Sequence, residues 1–112
     1  MLNFGAAKVS QLDVKDLYNA IKQKETCVIL DVRTPLEYER GKVEGSINLP
    51  VDKIRAEVEE VIPDKEKKVY VYCLSGSRSV IAVEIMIKLG YKNVFDIKSG
   101  LLAWRVNKFP IV

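Results

Sequence analysis

The stretch VYVYCLSGSRSVIAVEIM, from Val69 to Met86, contains a strand, a loop and a helix pattern in direct succession. It opens with alternating β-branched and aromatic residues, which are typical of a strand, and closes with an apolar run that is typical of a helix. Between the two lie a cysteine, four small or neutral residues and an arginine. A strand that leads through a short loop into a helix is the repeating unit of a parallel α/β sheet.

The rest of the chain continues this alternation of strands and helices. Val14, Leu17, Tyr18 and Ile21 recur at helical spacing and predict a first helix, with Ser10 or Asp13 as its N-cap. The sequence predicts strands at 26–32, 45–49, 68–73 and 93–97, and helices at 35–40, 51–62, 78–89 and 100–107. The predicted fold class is therefore α/β, a small and mostly parallel central sheet of about five strands flanked by helices on both faces.

Length and composition favour one ordinary globular domain. The 112 residues predict a single domain spanning 1–112, with a core at about 9–109, and the 48% hydrophobic content permits a packed interior. The net charge of +3 is small and both signs alternate along the chain, so we expect no nucleic-acid partner. No apolar run reaches the roughly 18 residues that span a bilayer, and the first residues do not resemble a leader. We therefore expect no membrane partner and a cytoplasmic location.

The absence of histidine narrows the possible chemistry. A chain with 0 His has no histidine general base and no His-containing metal motif. Its 2 Cys are too few for a structural zinc site or a disulfide framework. We expect neither a metal nor another cofactor, so any nucleophilic chemistry must rely on a cysteine without an imidazole.

The two cysteines differ in their surroundings. Cys27 lies within an apolar strand, where a cysteine behaves as a small, inert hydrophobe. Cys73 ends its strand, and open α/β sheets bind ligands at that edge. The following loop can turn its N–H groups inward, the next helix begins directly behind it, and Arg78 adds a positive charge. These groups favour a thiolate, although a junction that merely happens to hold a cysteine is the alternative.

Ser75 and Ser77 fit either interpretation of the loop. Both hydroxyls could donate hydrogen bonds to a bound anion. Ser77 could instead serve as the N-cap of the helix that follows.

Three segments resemble the rhodanese-like sulfurtransferases, a family of single-domain and larger proteins. CLSGSRS is similar to the active-site loop of that family, which has Cys, Gly, Arg and Ser where Cys73, Gly76, Arg78 and Ser79 stand. The segment ILDVRTPLEYERGKVEGSINLP at 29–50 resembles its Asp-Val-Arg, Glu-aromatic and Gly-x-x-Asn-x-Pro patterns, and 100–104 resembles its closing Gly-x-x-x-Trp. The resemblance covers about Val9 to Phe109. This chain departs from the family at Lys42, where His is common, and at Ser99, where Gly is common.

The resemblance implies a sulfurtransferase reaction. Cys73 would take sulfane sulfur from a donor such as thiosulfate, hold it as a persulfide and pass it to a thiol, cyanide or a protein acceptor. Arg78 would hold the loop or an anionic donor. The implied persulfide-binding residues are Leu74, Ser75, Gly76, Ser77 and Arg78, and the implied structural residues beside them are Asp31 and Arg33, as a loop-fixing ion pair, and Ser79.

Two other classes remain open. Cysteine phosphatases and arsenate reductases use a similar loop but separate Cys and Arg by five residues, whereas four lie between Cys73 and Arg78. A tetrahedral phosphoryl group needs a wider ring of amides than one sulfur atom does. The other class is a non-enzymatic sulfur carrier or regulatory module, for which the apolar helix at 78–89 could be the docking face.

Overall fold

The structure is a computed structural model and describes residues 8–112. Residues 1–7, which entered the predictions of location and of a single domain, lie outside the described residues. Every pairing between neighbouring strands is parallel, and the spatial order is first, fifth, fourth, second, third. The strands are β1 Gln11–Leu12, β2 Val28–Asp31, β3 Ile47–Asn48, β4 Val69–Tyr72 and β5 Val94–Ile97.

Helices cover both faces of this sheet, which confirms the predicted architecture. Two separate apolar clusters form. One lies between the sheet and helices α1 (Val14–Lys22) and α5 (Gly100–Val106), and the other lies between the sheet and helices α3 (Ile54–Val61) and α4 (Ser77–Lys88). No helix within 8–112 is long and apolar enough to cross a membrane. The helices are α1 Val14–Lys22, α2 Pro35–Glu39, α3 Ile54–Val61 after a 3-10 turn at Val51–Lys53, α4 Ser77–Lys88 and α5 Gly100–Val106.

Strand β4 is central and supplies side chains to both clusters. Val69 and Val71 pack toward α3 and α4, whereas Tyr70 and Tyr72 pack toward α1 and α5. All four residues are buried. The alternation predicted for VYVY is therefore present, and its carboxyl end delivers the following cysteine to the edge of the sheet.

Side-chain caps explain where the first two helices begin. Asp13 accepts from the backbone N–H of Lys15 and caps α1, so it is Asp13 rather than Ser10 that serves as N-cap. Thr34 caps α2 in the same way, with Pro35 at the first helical position.

Several boundaries differ from the predictions. Strand β1 was not predicted, because its two residues are too few to show alternation and exist as a strand only through pairing with β5. The strands predicted at 26–32 and 45–49 are shorter, since only 28–31 and 47–48 pair in the ladder. Helix α4 begins at Ser77, so the alternative in which Ser77 is its N-cap is wrong. That position belongs to Gly76, whose φ of 111° suits a residue without a side chain.

Candidate active site

Cys73 directly follows β4 and lies at the carboxyl edge of the sheet. Its side chain belongs to the cluster formed with α3 and α4, at the N-terminus of α4, and it is 0% exposed. The sulfur is therefore shielded from bulk water, and a reactant must enter the loop to reach it. The aligned N–H groups of the first turn of α4 add a positive field at this position.

Three polar groups contact the sulfur of Cys73. The backbone N–H groups of Gly76 and Ser79 donate to Sγ at 3.1 and 3.4 Å. The thiol donates to the hydroxyl of Ser79 at 3.4 Å, and that hydroxyl donates to the carbonyl of Gly76 at 3.3 Å. The two backbone N–H donors stabilise negative charge on the sulfur atom.

This geometry assigns Ser79 a larger part than the sequence did. The sequence named Ser79 as structural and gave the amides of 74–78 to the persulfide, yet Ser79 reaches Sγ through both its amide and its hydroxyl. Ser75 and Ser77 are exposed and Leu74 is half-buried. The persulfide-binding roles of Leu74, Ser75, Gly76, Ser77 and Arg78 stay predictions.

Helix α5 supports the loop from behind. The N–H of Leu101 donates to the carbonyl of Cys73 at 2.9 Å, and the N–H of Leu102 donates to that of Leu74 at 3.0 Å. A Cβ at Gly100 would lie 2.2 Å from the carbonyl oxygen of Cys73, so only glycine permits this approach. This contact was not predicted from the sequence, although Gly100 is the glycine of the Gly-x-x-x-Trp segment that resembles the family.

Arg78 forms a two-point ion pair with Glu37 of α2. Nη1 donates to Oε1 at 2.7 Å and Nη2 donates to Oε2 at 3.1 Å. The hydrogen bond from Arg78 holds the pKa of Glu37 down at about 2, and Glu37 in turn raises the pKa of Arg78. The guanidinium therefore ties the first turn of α4 to α2. Sequence reasoning did not identify Glu37 as part of the site, although its place in the capping pattern T-x-x-E was a signal.

The predicted ion pair between Asp31 and Arg33 is present and buried. Nη2 of Arg33 lies 2.7 Å from Oδ2 of Asp31, and the two residues are 3% and 0% exposed. The same Nη2 donates to the carbonyl of Gly41 at 2.6 Å, and the Asn48 amide donates to the carbonyls of Asp31 and Arg33. These bonds fix the loop that leads into α2, and so they help to position Glu37.

Cys27 lies at the opposite end of the sheet. It precedes β2, whose Val28 pairs with Val69 at the start of β4, whereas Cys73 follows the end of β4. Burial raises the pKa of the Cys27 thiol, and the charge of Glu25 raises it further. The two thiols are therefore too far apart to exchange sulfur within one molecule. Within residues 8–112, no group of three or more candidate ligand side chains is placed to hold a metal ion.

The chain thus belongs to the class of α/β proteins that hold a cysteine on a short loop between a parallel strand and a helix, with two backbone N–H groups donating to its sulfur. Within that class the chain belongs to the rhodanese-like family, because the family model described as Rhodanese-like domain matches residues 13–107. This finding confirms the family that the sequence resembles.

Relatives of known description support the same assignment. The chain is 31% identical to a sulfurtransferase of Allochromatium vinosum, with 93% of this chain and 95% of the relative covered. It is 39% identical to a putative mitochondrial thiosulfate sulfurtransferase of Schizosaccharomyces pombe, with coverage of 86% and 78%. The crystal structure of a rhodanese-related protein from Thermoplasma volcanium superposes with a TM-score of 0.81 at 34% identity, covering 92% of this chain and 97% of that one.

Two further matches have different descriptions. A putative sulfur carrier protein of Bacillus subtilis is 27% identical, and the chain spans 52% of its length. A protein of Rhodopseudomonas palustris described as a possible tyrosine phosphatase superposes with a TM-score of 0.84 at 29% identity, with 93% of this chain and 85% of that one covered. The proteins that this chain resembles therefore have descriptions that name different chemistry.

Proposed function

We propose that this chain is a sulfurtransferase in which Cys73 carries the sulfur. The Cys73 thiolate attacks the outer sulfur of a sulfane-sulfur donor such as thiosulfate, a new sulfur–sulfur bond forms, and the donor remainder leaves with the electron pair of the broken bond. A thiolate or cyanide then attacks the outer sulfur of the Cys73 persulfide, and the Cys73 thiolate leaves with the electron pair of the broken sulfur–sulfur bond. Neither step requires a general base or a cofactor.

The observation that carries this proposal is the pair of backbone N–H groups that donate to Sγ. Both states of the reaction, the thiolate and the terminal sulfur of the persulfide, are anions that N–H donors stabilise. Gly76 and Ser79 supply such donors at 3.1 and 3.4 Å from the sulfur. The sulfurtransferase relatives, covered over most of their length, add independent support.

The cytoplasm is the proposed location, because a catalytic thiolate needs reducing surroundings to stay unpaired. Both cysteines are free in the structure. The small-molecule partners in this proposal are the sulfur donor and the thiophilic acceptor.

A phosphatase activity is the alternative suggested by the relative from Rhodopseudomonas palustris. The loop argues against it, because four residues between Cys73 and Arg78 form a small ring of amides. In addition, both terminal nitrogens of the Arg78 guanidinium already donate to Glu37. These are the two nitrogens that would bind a phosphoryl group, so they are occupied.

A dedicated sulfur carrier is the second candidate function. Two exposed leucines lie on the helices that contact the loop segment or Arg78. Leu36 precedes Glu37 on α2 and is 55% exposed, and Leu102 on α5, whose N–H donates to the carbonyl of Leu74, is 47% exposed. Apolar side chains at the rim of an active site suit a protein acceptor. This candidate keeps the same Cys73 persulfide and changes only the acceptor.

Intact-mass measurement tests the proposed reaction. The chain is incubated with thiosulfate, glutathione persulfide or polysulfide, and cyanide is added afterwards. We expect a mass increase of one sulfur atom that cyanide removes as thiocyanate. Aryl-phosphate hydrolysis that requires Cys73, without sulfur loading from any donor, would instead favour the phosphatase class.

A further inference from the structure

Two ion pairs lie beside the active-site loop, Arg78 with Glu37 and Arg33 with Asp31. The negative charges of Cys73 and Asp31 also act on Arg78. Once Cys73 is ionised, these five side chains together carry one net negative charge, although the loop contains an arginine.

Glu37 is held in this place by more than its ion pair. The backbone N–H and the hydroxyl of Thr34 both donate to Oε1 of Glu37 at 3.0 Å, and the N–H of Glu37 donates back to the Thr34 hydroxyl. The Arg78 hydrogen bond lowers the pKa of Glu37 to about 2, so it is a carboxylate throughout the neutral range. Its side chain and that of Arg78 are 32% and 30% exposed, so solvent screens the pair only in part.

We propose that Glu37 is a specificity-determining residue that selects against dianionic sulfur donors and in favour of donors with at most one negative charge near the transferable sulfur. This inference rests on the proposed sulfurtransferase function and names its donor class, organic persulfides and thiosulfonates. Arg78 holds α2 and α4 together, and its charge is already neutralised before a donor arrives.

Coulomb repulsion supplies the discrimination. A second negative charge on a donor that approaches the Cys73 thiolate within a few ångströms, in a partly buried site whose arginine is already paired, slows the reaction about tenfold. Removal of the Glu37 charge would free the Arg78 charge to offset this repulsion. The effect depends on donor charge, which distinguishes it from a general loss of structure.

Two donors of nearly the same shape isolate the charge. Thiosulfate is a dianion, and the methanethiosulfonate anion, in which a methyl group replaces one oxygen, is a monoanion. In both, the Cys73 thiolate attacks the outer sulfur and the bond between the two donor sulfurs breaks. Sulfite leaves from the first donor and methanesulfinate from the second, each with the bonding electron pair.

Rapid-quench intact-mass measurement gives the loading rates from both donors for the wild type, Glu37→Gln and Glu39→Gln. Glutamine keeps the length of Glu37 and an oxygen for the Thr34 N–H, so the cap of α2 is preserved. Glu39 is exposed on the same short helix, so Glu39→Gln removes an equal charge as the matched control. Urea unfolding shows that each variant is folded.

We expect the ratio of the methanethiosulfonate rate to the thiosulfate rate to fall about tenfold in Glu37→Gln and to stay unchanged in Glu39→Gln. Added salt should accelerate thiosulfate loading of the wild type, because it screens the repulsion between two anions. An equal ratio in Glu37→Gln and wild type, or a wild-type rate that falls with salt, overturns this inference alone. Failure of both donors to load any of the three proteins overturns the proposed function and this inference with it.

Discussion

The two ends of the sheet contain similar residues and offer different chemistry. At the carboxyl end, Cys73 is fully buried beneath N–H donors, and the Asp31–Arg33 pair beside it is buried as well. At the amino end, Cys27 is half-buried near Glu25 and Lys68, whose side chains are each 33% exposed. Parallel strands place loops and helix N-termini at the carboxyl end, and there the backbone itself stabilises an anion. The position in the sheet, more than the residue type, makes one thiol a candidate nucleophile.

Among the variants that compare the two ends of the sheet, Gly100→Ala should have the largest effect. Its new Cβ would fall 2.2 Å from the carbonyl oxygen of Cys73, so the loop or α5 must shift. We expect a loss of about 3 kcal/mol in the free energy of unfolding, together with slower sulfur loading. Urea unfolding and intact-mass kinetics measure the two effects.

The matched control is Gly90→Ala at the amino end. Gly90 also has a positive φ, of 101°, but its Cβ would meet only the flexible Lys65 side chain, at 3.6 Å. We expect backbone strain to lower the free energy of unfolding by about 1 kcal/mol, and we expect no change in sulfur loading. Equal losses in the two variants would show that the contact of Gly100 with Cys73 is not the critical one.

Asp31→Asn and Glu25→Gln compare an ion pair at each end. Asp31→Asn leaves the Arg33 charge buried without its partner, and we expect a loss of about 3 kcal/mol. Glu25→Gln removes a charge from a partly exposed pair with Lys68, and we expect a loss of less than about 1 kcal/mol in the free energy of unfolding. Urea unfolding at neutral pH measures both. A loss in Glu25→Gln as large as that in Asp31→Asn would contradict the difference in burial on which the comparison rests.

Acid titration of stability tests Glu37 at the carboxyl end. Its folded pKa of about 2 lies below the ordinary value of 4.5, so its stabilising contribution is complete above pH 4.5 and is lost as the pH falls toward 2. Solvent reaches part of the pair, so the contribution is modest. Urea unfolding across this range should show a steeper loss for the wild type than for Glu37→Gln. If the free energy of unfolding falls equally with pH in the two proteins, the lowered pKa of Glu37 is contradicted.

Ser99→Gly and Lys24→Gly should have the smallest effects. Ser99 and Lys24 adopt left-handed backbone conformations, with φ of 61° and 54°, at the carboxyl and amino ends respectively. Glycine relieves this strain, so we expect the free energy of unfolding of each variant to rise by up to about 1 kcal/mol. Thermal unfolding measures this gain, and sulfur loading should stay unchanged. Altered loading in Ser99→Gly alone would mean that the strained backbone contributes to the site.

The sequence predicted the fold well where patterns are local. The alternation of VYVY, the capping residues of α1 and the apolar spacing of the helices each depend on neighbours along the chain. Strand β1 escaped prediction because Gln11–Leu12 becomes a strand only by pairing with β5. The extents of β2 and β3 were overestimated for the same reason, since pairing partners set them.

The local groups of the candidate site were predictable from the sequence, and its long-range contacts were not. Cys73, Gly76 and the Asp31–Arg33 pair could be identified from residue type and order, because the members of each group are close in sequence. The Arg78–Glu37 pair joins residues 41 positions apart, and the approach of Gly100 to Cys73 also bridges distant segments. Only the folded chain brings such residues together.

Localisation of the transferred sulfur tests the central claim most directly. Wild type, Cys73→Ser and Cys27→Ser are each loaded with a sulfane-sulfur donor and analysed by intact mass and peptide mapping. We expect one cyanide-removable sulfur on the peptide that contains Cys73 in the wild type and in Cys27→Ser, and none in Cys73→Ser. Loading that persists in Cys73→Ser, or that maps to Cys27, would contradict the assignment of the carboxyl end of the sheet as the site of sulfur transfer.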